Sequence, residues 1–150
     1  MLDISKITDQ LFVASRLRST AVDELKILKI DVVISMIGEE APDPKFKDAN
    51  FHVLWLPSYD SFLTPIPMKN LRRGVREALK VLETGGRVLV FCRAGMRRSV
   101  TLAASILIAS GMESKEAARL IKEKRPIADP GMWYVKWRIK KFERYWKRRS

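Results

Sequence analysis

Histidine, cysteine, glutamine and asparagine are scarce in this chain, with one His, one Cys, one Gln and two Asn among 150 residues. A single cysteine excludes an internal disulfide. It fits a reducing compartment such as the cytoplasm and singles out the thiol for attention. No run of about 18 apolar residues is present, so a hydrophobic membrane span is excluded. The opening Met1-Leu2-Asp3-Ile4-Ser5 lacks the basic region and apolar run of a secretory signal. Repeats, low-complexity tracts and long linkers are missing too, which leads us to expect one domain over residues 1–150. The shortage of Gln and Asn beside abundant Lys, Arg and Glu hints at a thermophilic source.

Apolar residues make up 47% of the chain, enough for a sizeable core. The net charge is +12, and it is uneven. Residues 115–150 hold thirteen Lys/Arg against four Asp/Glu, nine of the twelve net charges. Such a surface either keeps the protein solvated or attracts anionic partners.

Strand-like and helix-like periodicities alternate along the chain. Leu11–Ala14, Asp31–Met36 and Phe51–Leu56 read as strands, the last ended by Pro57. Residues 38–50, rich in Gly, Pro and charge, read as a loop. Ser19 or Thr20 caps a helix bearing Val22, Leu25 and Leu28. Pro65 and Pro67 precede a helical stripe of Leu71, Val75, Leu79 and Leu82, stopped by Gly85-Gly86. Val88–Phe91 is a continuous apolar run, as in a central parallel strand covered on both faces. Helices follow over 99–109, from a Ser114 cap to Lys124, and over about 131–147. The alternation predicts an α/β fold: a central, mostly parallel sheet flanked by helices. Ligands in such sheets bind beyond the carboxyl ends of the strands, which directs attention to Cys92.

The segment Val88-Leu89-Val90-Phe91-Cys92-Arg93-Ala94-Gly95-Met96-Arg97-Arg98-Ser99 runs from a buried strand into an apolar helix. A Cys and an Arg six positions apart mean little alone; this setting makes the pattern specific. The backbone N–H groups of Arg93, Ala94, Gly95, Met96, Arg97 and Arg98 can converge on one anion, aided by the helix N-terminus. Gly95 permits a backbone turn that a side chain would oppose. Arg98 offers two parallel donors to phosphate oxygens. The same field favours the thiolate of Cys92, placing it for attack at phosphorus and a phosphocysteine intermediate. Ser99 can hydrogen-bond the sulfur or cap the helix. A small buried thiol of no chemical role is the bland alternative, but it leaves Gly95, Arg98 and Ser99 unexplained.

The leaving oxygen needs a proton donor. Asp60, in Leu54-Trp55-Leu56-Pro57-Ser58-Tyr59-Asp60, follows a strand and so faces the same sheet edge as Cys92. Asp129 is the second candidate. His52 reads as a surface or edge residue. The last helix carries Val135, Ile139, Phe142 and Trp146 as a core stripe, opposite a basic face. Met132, Trp133 and Tyr134 are candidates for a pocket wall.

These residues resemble the dual-specificity branch of the cysteine-based protein tyrosine phosphatases. The likeness rests on residues 7–15, Leu54–Asp60, Val88–Ser99 and the pair Arg125-Pro126. It implies Cys92 as nucleophile, Asp60 as acid, Arg98 as phosphate binder and Ser99 as assistant to the thiol, with no metal or cofactor. Two positions depart from the family pattern. Phe91 replaces a usual His, removing a polar contact beneath the thiolate. Arg97 stands where Ser is common, either for a more highly charged substrate or pointing to solvent. The resemblance implies phosphorylated proteins as substrates, with phosphoinositides or RNA 5′ ends as an alternative. A phosphate-reading module without turnover is the third reading.

Overall fold

The apolar run Val88–Phe91 is buried throughout and forms the middle strand of a five-stranded sheet. The computed structural model describes residues 2–149; Met1 and Ser150, the two ends of the expected domain, lie outside the described residues. The strands are β1 (Ile4–Lys6), β2 (Leu11–Ala14), β3 (Val32–Ile37), β4 (His52–Ser58) and β5 (Val88–Phe91), in the spatial order β1-β2-β5-β3-β4. Only β1 runs antiparallel to its neighbour. The expected mostly parallel sheet is therefore present. Ala14, Phe91 and Ser35 are cross-strand partners, so β2, β5 and β3 end at one edge and Cys92 lies just beyond it.

Among the described residues, six helices accompany the sheet: α1 (Val22–Ile27), α2 (Pro44–Asp48), α3 (Met68–Glu83), α4 (Arg98–Ala109), α5 (Ser114–Lys124) and α6 (Trp133–Arg148). Helix α4 packs on β2, β3 and β5 and is covered in turn by α3, α5 and α6. Every residue from Arg98 to Ile108 is buried as a result. This explains why the helix reads as apolar nearly all round. Gly74 lets α3 approach closely: a Cβ there would lie 2.8 Å from a Leu102 methyl and 2.9 Å from one of Leu56.

Several local expectations are corrected. The stretch 38–50 is not all loop: Asp43 accepts from the Lys45 N–H, Pro44 starts α2, and Phe46 is fully buried. Pro57 does not end β4, which continues to Ser58. This strand lies at the sheet edge, where a residue without an N–H is tolerated. Ser19 and Thr20 form a 3₁₀ turn and provide no side-chain cap for α1. Ser114 is the first residue of α5 and not its cap; its N–H instead donates to the Glu143 carboxylate at 2.7 Å. His52 is exposed on edge strand β4, as expected.

Val135, Ile139 and Phe142 are buried in α6, and Phe142 stacks on Trp146 with centroids 5.9 Å apart. Removing the Phe142 ring would leave a void beneath α4. We expect Phe142→Ala to lower unfolding free energy by about 3–5 kcal/mol, read by chemical denaturation.

Candidate active site

The turn between β5 and α4 has its polarity inverted. The carbonyls of residues 93 to 97 all point away from the loop centre and are bonded elsewhere. Arg93 O accepts from Arg16 N at 3.0 Å and Met96 O from Asp129 N at 2.9 Å. Ala94 O and Gly95 O accept from the Arg125 guanidinium at 3.1 and 2.8 Å. Arg97 O accepts from the backbone and hydroxyl of Thr101 at 2.8 and 2.7 Å. The N–H groups of residues 93 to 98 donate to no group among the described residues. Carbonyls tied outward leave the N–H groups turned inward, the arrangement of an anion-binding nest.

Gly95 makes this turn possible. Its φ is +66°, and a Cβ would lie 2.5 Å from Arg125 Nη2 and 2.8 Å from Ala14 O. Beneath the loop, Arg125 is only 1% exposed. Besides the two loop carbonyls it donates to both oxygens of Asp3, at 3.0 and 2.7 Å, and to the Ser5 hydroxyl at 3.0 Å. The Asp3 carboxyl is held below its ordinary range, chiefly by the Arg125 hydrogen bonds and against the effect of burial.

Cys92 sits at the floor of the turn and is 3% exposed. Its Sγ lies 3.1 Å from Ser99 Oγ and 3.5 Å from Ser99 N. The Ser99 hydroxyl therefore serves the sulfur; α4 begins at Arg98 with no side-chain cap. Arg98 is 5% exposed and donates Nη1 to Glu39 Oε1 at 2.7 Å and to Ser58 O at 2.8 Å. Its Nε and Nη2 have no partner among the described residues, and no fully buried side-chain N or O there lacks one. Those two donors therefore keep some exposure to solvent. Glu39 also pairs with Arg93 at 3.3 Å. Burial opposes its charge most, but the Arg98 hydrogen bond, its own backbone and the two arginine charges together lower its pKa.

The segment bearing Asp60 meets the loop at two points, Ser58 O on Arg98 and Asp60 on Arg97. Asp60 Oδ2 accepts from Arg97 Nη1 at 3.2 Å, and Oδ1 accepts from the Tyr134 hydroxyl at 2.6 Å. Arg97 Nε reaches Asp129 Oδ2, also at 3.2 Å. Arg97 therefore does not point freely to solvent; it is 28% exposed and held by two carboxylates. Both acid candidates lie at the site, joined through one guanidinium. A cavity of about 220 Å³ opens beside Asp60, Arg97 and Arg98, walled by Tyr59, Phe62, Trp133, Tyr134 and Trp137. Phe62, Trp133 and Tyr134 pack with centroid separations of 5.6 to 6.5 Å.

Nothing in the sequence points to these contacts of Glu39, Arg125 and Tyr134. Arg125-Pro126 was visible as a pair, and Tyr134 as a candidate wall residue. Glu39 lies within 38–50, where Gly, Pro and charge indicate a loop, and carries no signal of its own.

This combination of an inverted loop, a cysteine at its floor and an arginine on its helix defines a class of cysteine-centred phosphate sites. The chain belongs to the dual specificity phosphatase family: residues 11–144 match the family model for its catalytic domain. A mouse relative, dual specificity protein phosphatase 15, is 30% identical over 128 residues, covering 85% of this chain and 52% of the relative. The chain thus spans about half the length of that protein, and 14% of human dual specificity protein phosphatase 16, to which it is 40% identical over 95 residues. The crystal structure of human DUSP28 superposes with a TM-score of 0.85 at 20% identity, over 97% of this chain and 99% of that one. That of PTPMT1 in complex with PI(5)P gives a TM-score of 0.83 at 23% identity, covering 97% of both chains.

Arg125→Ala would leave two loop carbonyls unpaired. We expect a loss of about 2–4 kcal/mol in chemical denaturation. The Asp3 contribution has a defined pH sign. Because the folded pKa is depressed, this contribution is complete above the ordinary value of 3.8 and is lost as pH falls through the lower folded value. Asp3→Asn should flatten that part of the acid limb of the stability curve.

Proposed function

We propose that this chain, over residues 1–150, is a phosphatase domain that hydrolyses phosphotyrosine, and with it phosphoserine or phosphothreonine, in proteins. The observation that carries this reading is the run of N–H groups from 93 to 98 with no acceptor among the described residues, behind carbonyls bonded outward, directly after Cys92. An oriented set of donors stabilises charge developing on the equatorial oxygens of phosphorus without reorganising.

Cys92 Sγ, as thiolate, attacks phosphorus while the bond to the leaving oxygen breaks. Asp60 gives its proton to that oxygen, releasing the alcohol or phenol and leaving the Asp60 carboxylate. Water then attacks the phosphocysteine and passes its proton to Asp60. The S–P bond breaks, phosphate departs, and the Ser99 hydroxyl stabilises the returning thiolate. The loop N–H groups and Arg98 hold the phosphoryl oxygens through both steps. A free thiolate nucleophile suits a reducing compartment such as the cytoplasm.

Aromatic side chains wall the cavity beside Asp60, which suits an aryl phosphate better than a short aliphatic one. Arg138 and Lys141 line the same cavity. They carry the basic face of α6 up to the site and favour acidic residues around the phosphorylated one.

Cys92→Ser should abolish turnover yet retain binding of vanadate or tungstate; appreciable turnover in that variant would remove the covalent route. A panel of phosphotyrosine peptides, phosphoserine peptides, inositol lipids and RNA 5′ ends tests the substrate. Phosphotyrosine peptides flanked by Asp or Glu should be hydrolysed fastest, with KM rising with salt. Fastest turnover of lipid or RNA ends would replace the protein reading, and binding without turnover of any member would make the chain a phosphate-reading module.

A further inference from the structure

Asp60 lies on the connection between β4 and α3, among some of the most exposed large side chains of the protein. Phe62 is 55% exposed and Leu63 76%. Beyond Ser58 the bonds made by the backbone of this loop are local, Thr64 N to Ser61 O at 3.2 Å and Leu63 N to Ser61 Oγ at 3.1 Å. Such a loop is drawn from the low-stability end of a structure. The Asp60 carboxyl is nonetheless bonded at both oxygens, by side chains from two other elements.

We infer that Arg97 and Tyr134 are positioning residues for the acid, and that Asp129 is the charge partner that keeps Arg97 in that role. The inference rests on the assignment of Asp60 as proton donor.

Arg97 is well anchored at both ends. Its carbonyl is bonded twice by Thr101, and its guanidinium Nε is held by Asp129. Asp129 is itself tied to the loop through its N–H on Met96 O. Burial works against the Arg97 charge, but the hydrogen bonds that it donates to Asp129 and Asp60 outweigh this and raise its pKa further. One guanidinium facing two carboxylates is a poor receptor for another anion. This argues against a second phosphate on the Arg97 side chain, while its backbone N–H stays in the nest.

Asp129 also solves a charge problem. The acid must alternate between carboxyl and carboxylate during turnover. With Asp129 present, Arg97 retains an anionic partner in both states, so protonating Asp60 does not strand a half-buried cation. Tyr134 meets the other oxygen through a neutral donor. Burial first, and then Asp60, push its phenol pKa up, so it stays a donor. The bracket therefore restrains the acid's position in either protonation state, and small displacements of a reacting group are costly in rate.

The test compares kcat/KM on phenyl phosphate and on 2,4-dinitrophenyl phosphate, whose leaving group needs little protonation. Asp60→Asn sets the reference split between them. Arg97→Ser and Tyr134→Phe should each lose about tenfold more on phenyl phosphate than on the dinitrophenyl ester. Arg97→Lys should recover part of the loss. Adding Arg97→Ser to Asp60→Asn should cost little more, because the group being positioned is gone. Thermal melts of each variant separate these effects from unfolding. Equal losses on both esters would assign Arg97 to phosphate binding, and no loss would leave it without a role; either overturns the inference. If Asp60→Asn itself shows no split, the acid assignment fails and the bracket with it. If Asp60→Asn shows the split and Arg97→Ser does not, the bracket alone fails.

Discussion

The site depends on where five carbonyl oxygens go. A chain leaving a strand for a helix ordinarily leaves N–H and C=O groups pointing in mixed directions, and water or neighbours satisfy both. Here every carbonyl from Arg93 to Arg97 has a protein donor behind it. Arg125 supplies two of those donors from a position almost sealed from solvent. Anion affinity is thus built from below: the N–H groups face inward because the oxygens are restrained outward.

Charge at this site is arranged in closed units. Arg98 and Arg93 share Glu39, Arg97 is shared by Asp60 and Asp129, and Arg125 is matched by Asp3. Net charge is therefore a poor guide to the surroundings of the sulfur. Most of the excess sits on α5 and α6, while the arginines nearest the sulfur are partnered. What remains for a substrate is directional: the unpartnered N–H groups of the loop and two free donors of Arg98. Directional donors select tetrahedral oxyanions by geometry, whereas diffuse charge only draws anions near.

Much of this was legible from residues alone. Val88–Phe91 could hardly be anything but a central strand, and the sheet-edge rule then carried Cys92 to the ligand side. Asp60 followed from the same rule applied to β4. Three features resisted reading for physical reasons. Strand β1 is three residues long, half-buried and antiparallel, too short for a periodicity. Helix α2 is five residues nucleated by Asp43 and Pro44, and its anchor Phe46 is visible only once it is packed. The side-chain role of Arg97 was open between solvent and substrate. A sequence gives the position of a guanidinium but not the two carboxylates, 37 and 32 residues away, that meet it. At the Phe91 departure the ring is buried in the core, and the side-chain hydrogen bond to the sulfur comes from Ser99.

The Asp3–Arg125 pair joins residues 122 positions apart. During vectorial synthesis the strand, the cysteine and the following helix all leave the ribosome before the arginine that braces them. A chain that stops shortly after residue 109 lacks Arg125, so the carbonyls of Ala94 and Gly95 have no guanidinium behind them. The bracing of the loop is therefore acquired late, once Arg125 reaches back to Asp3 and Ser5 at the start of the chain.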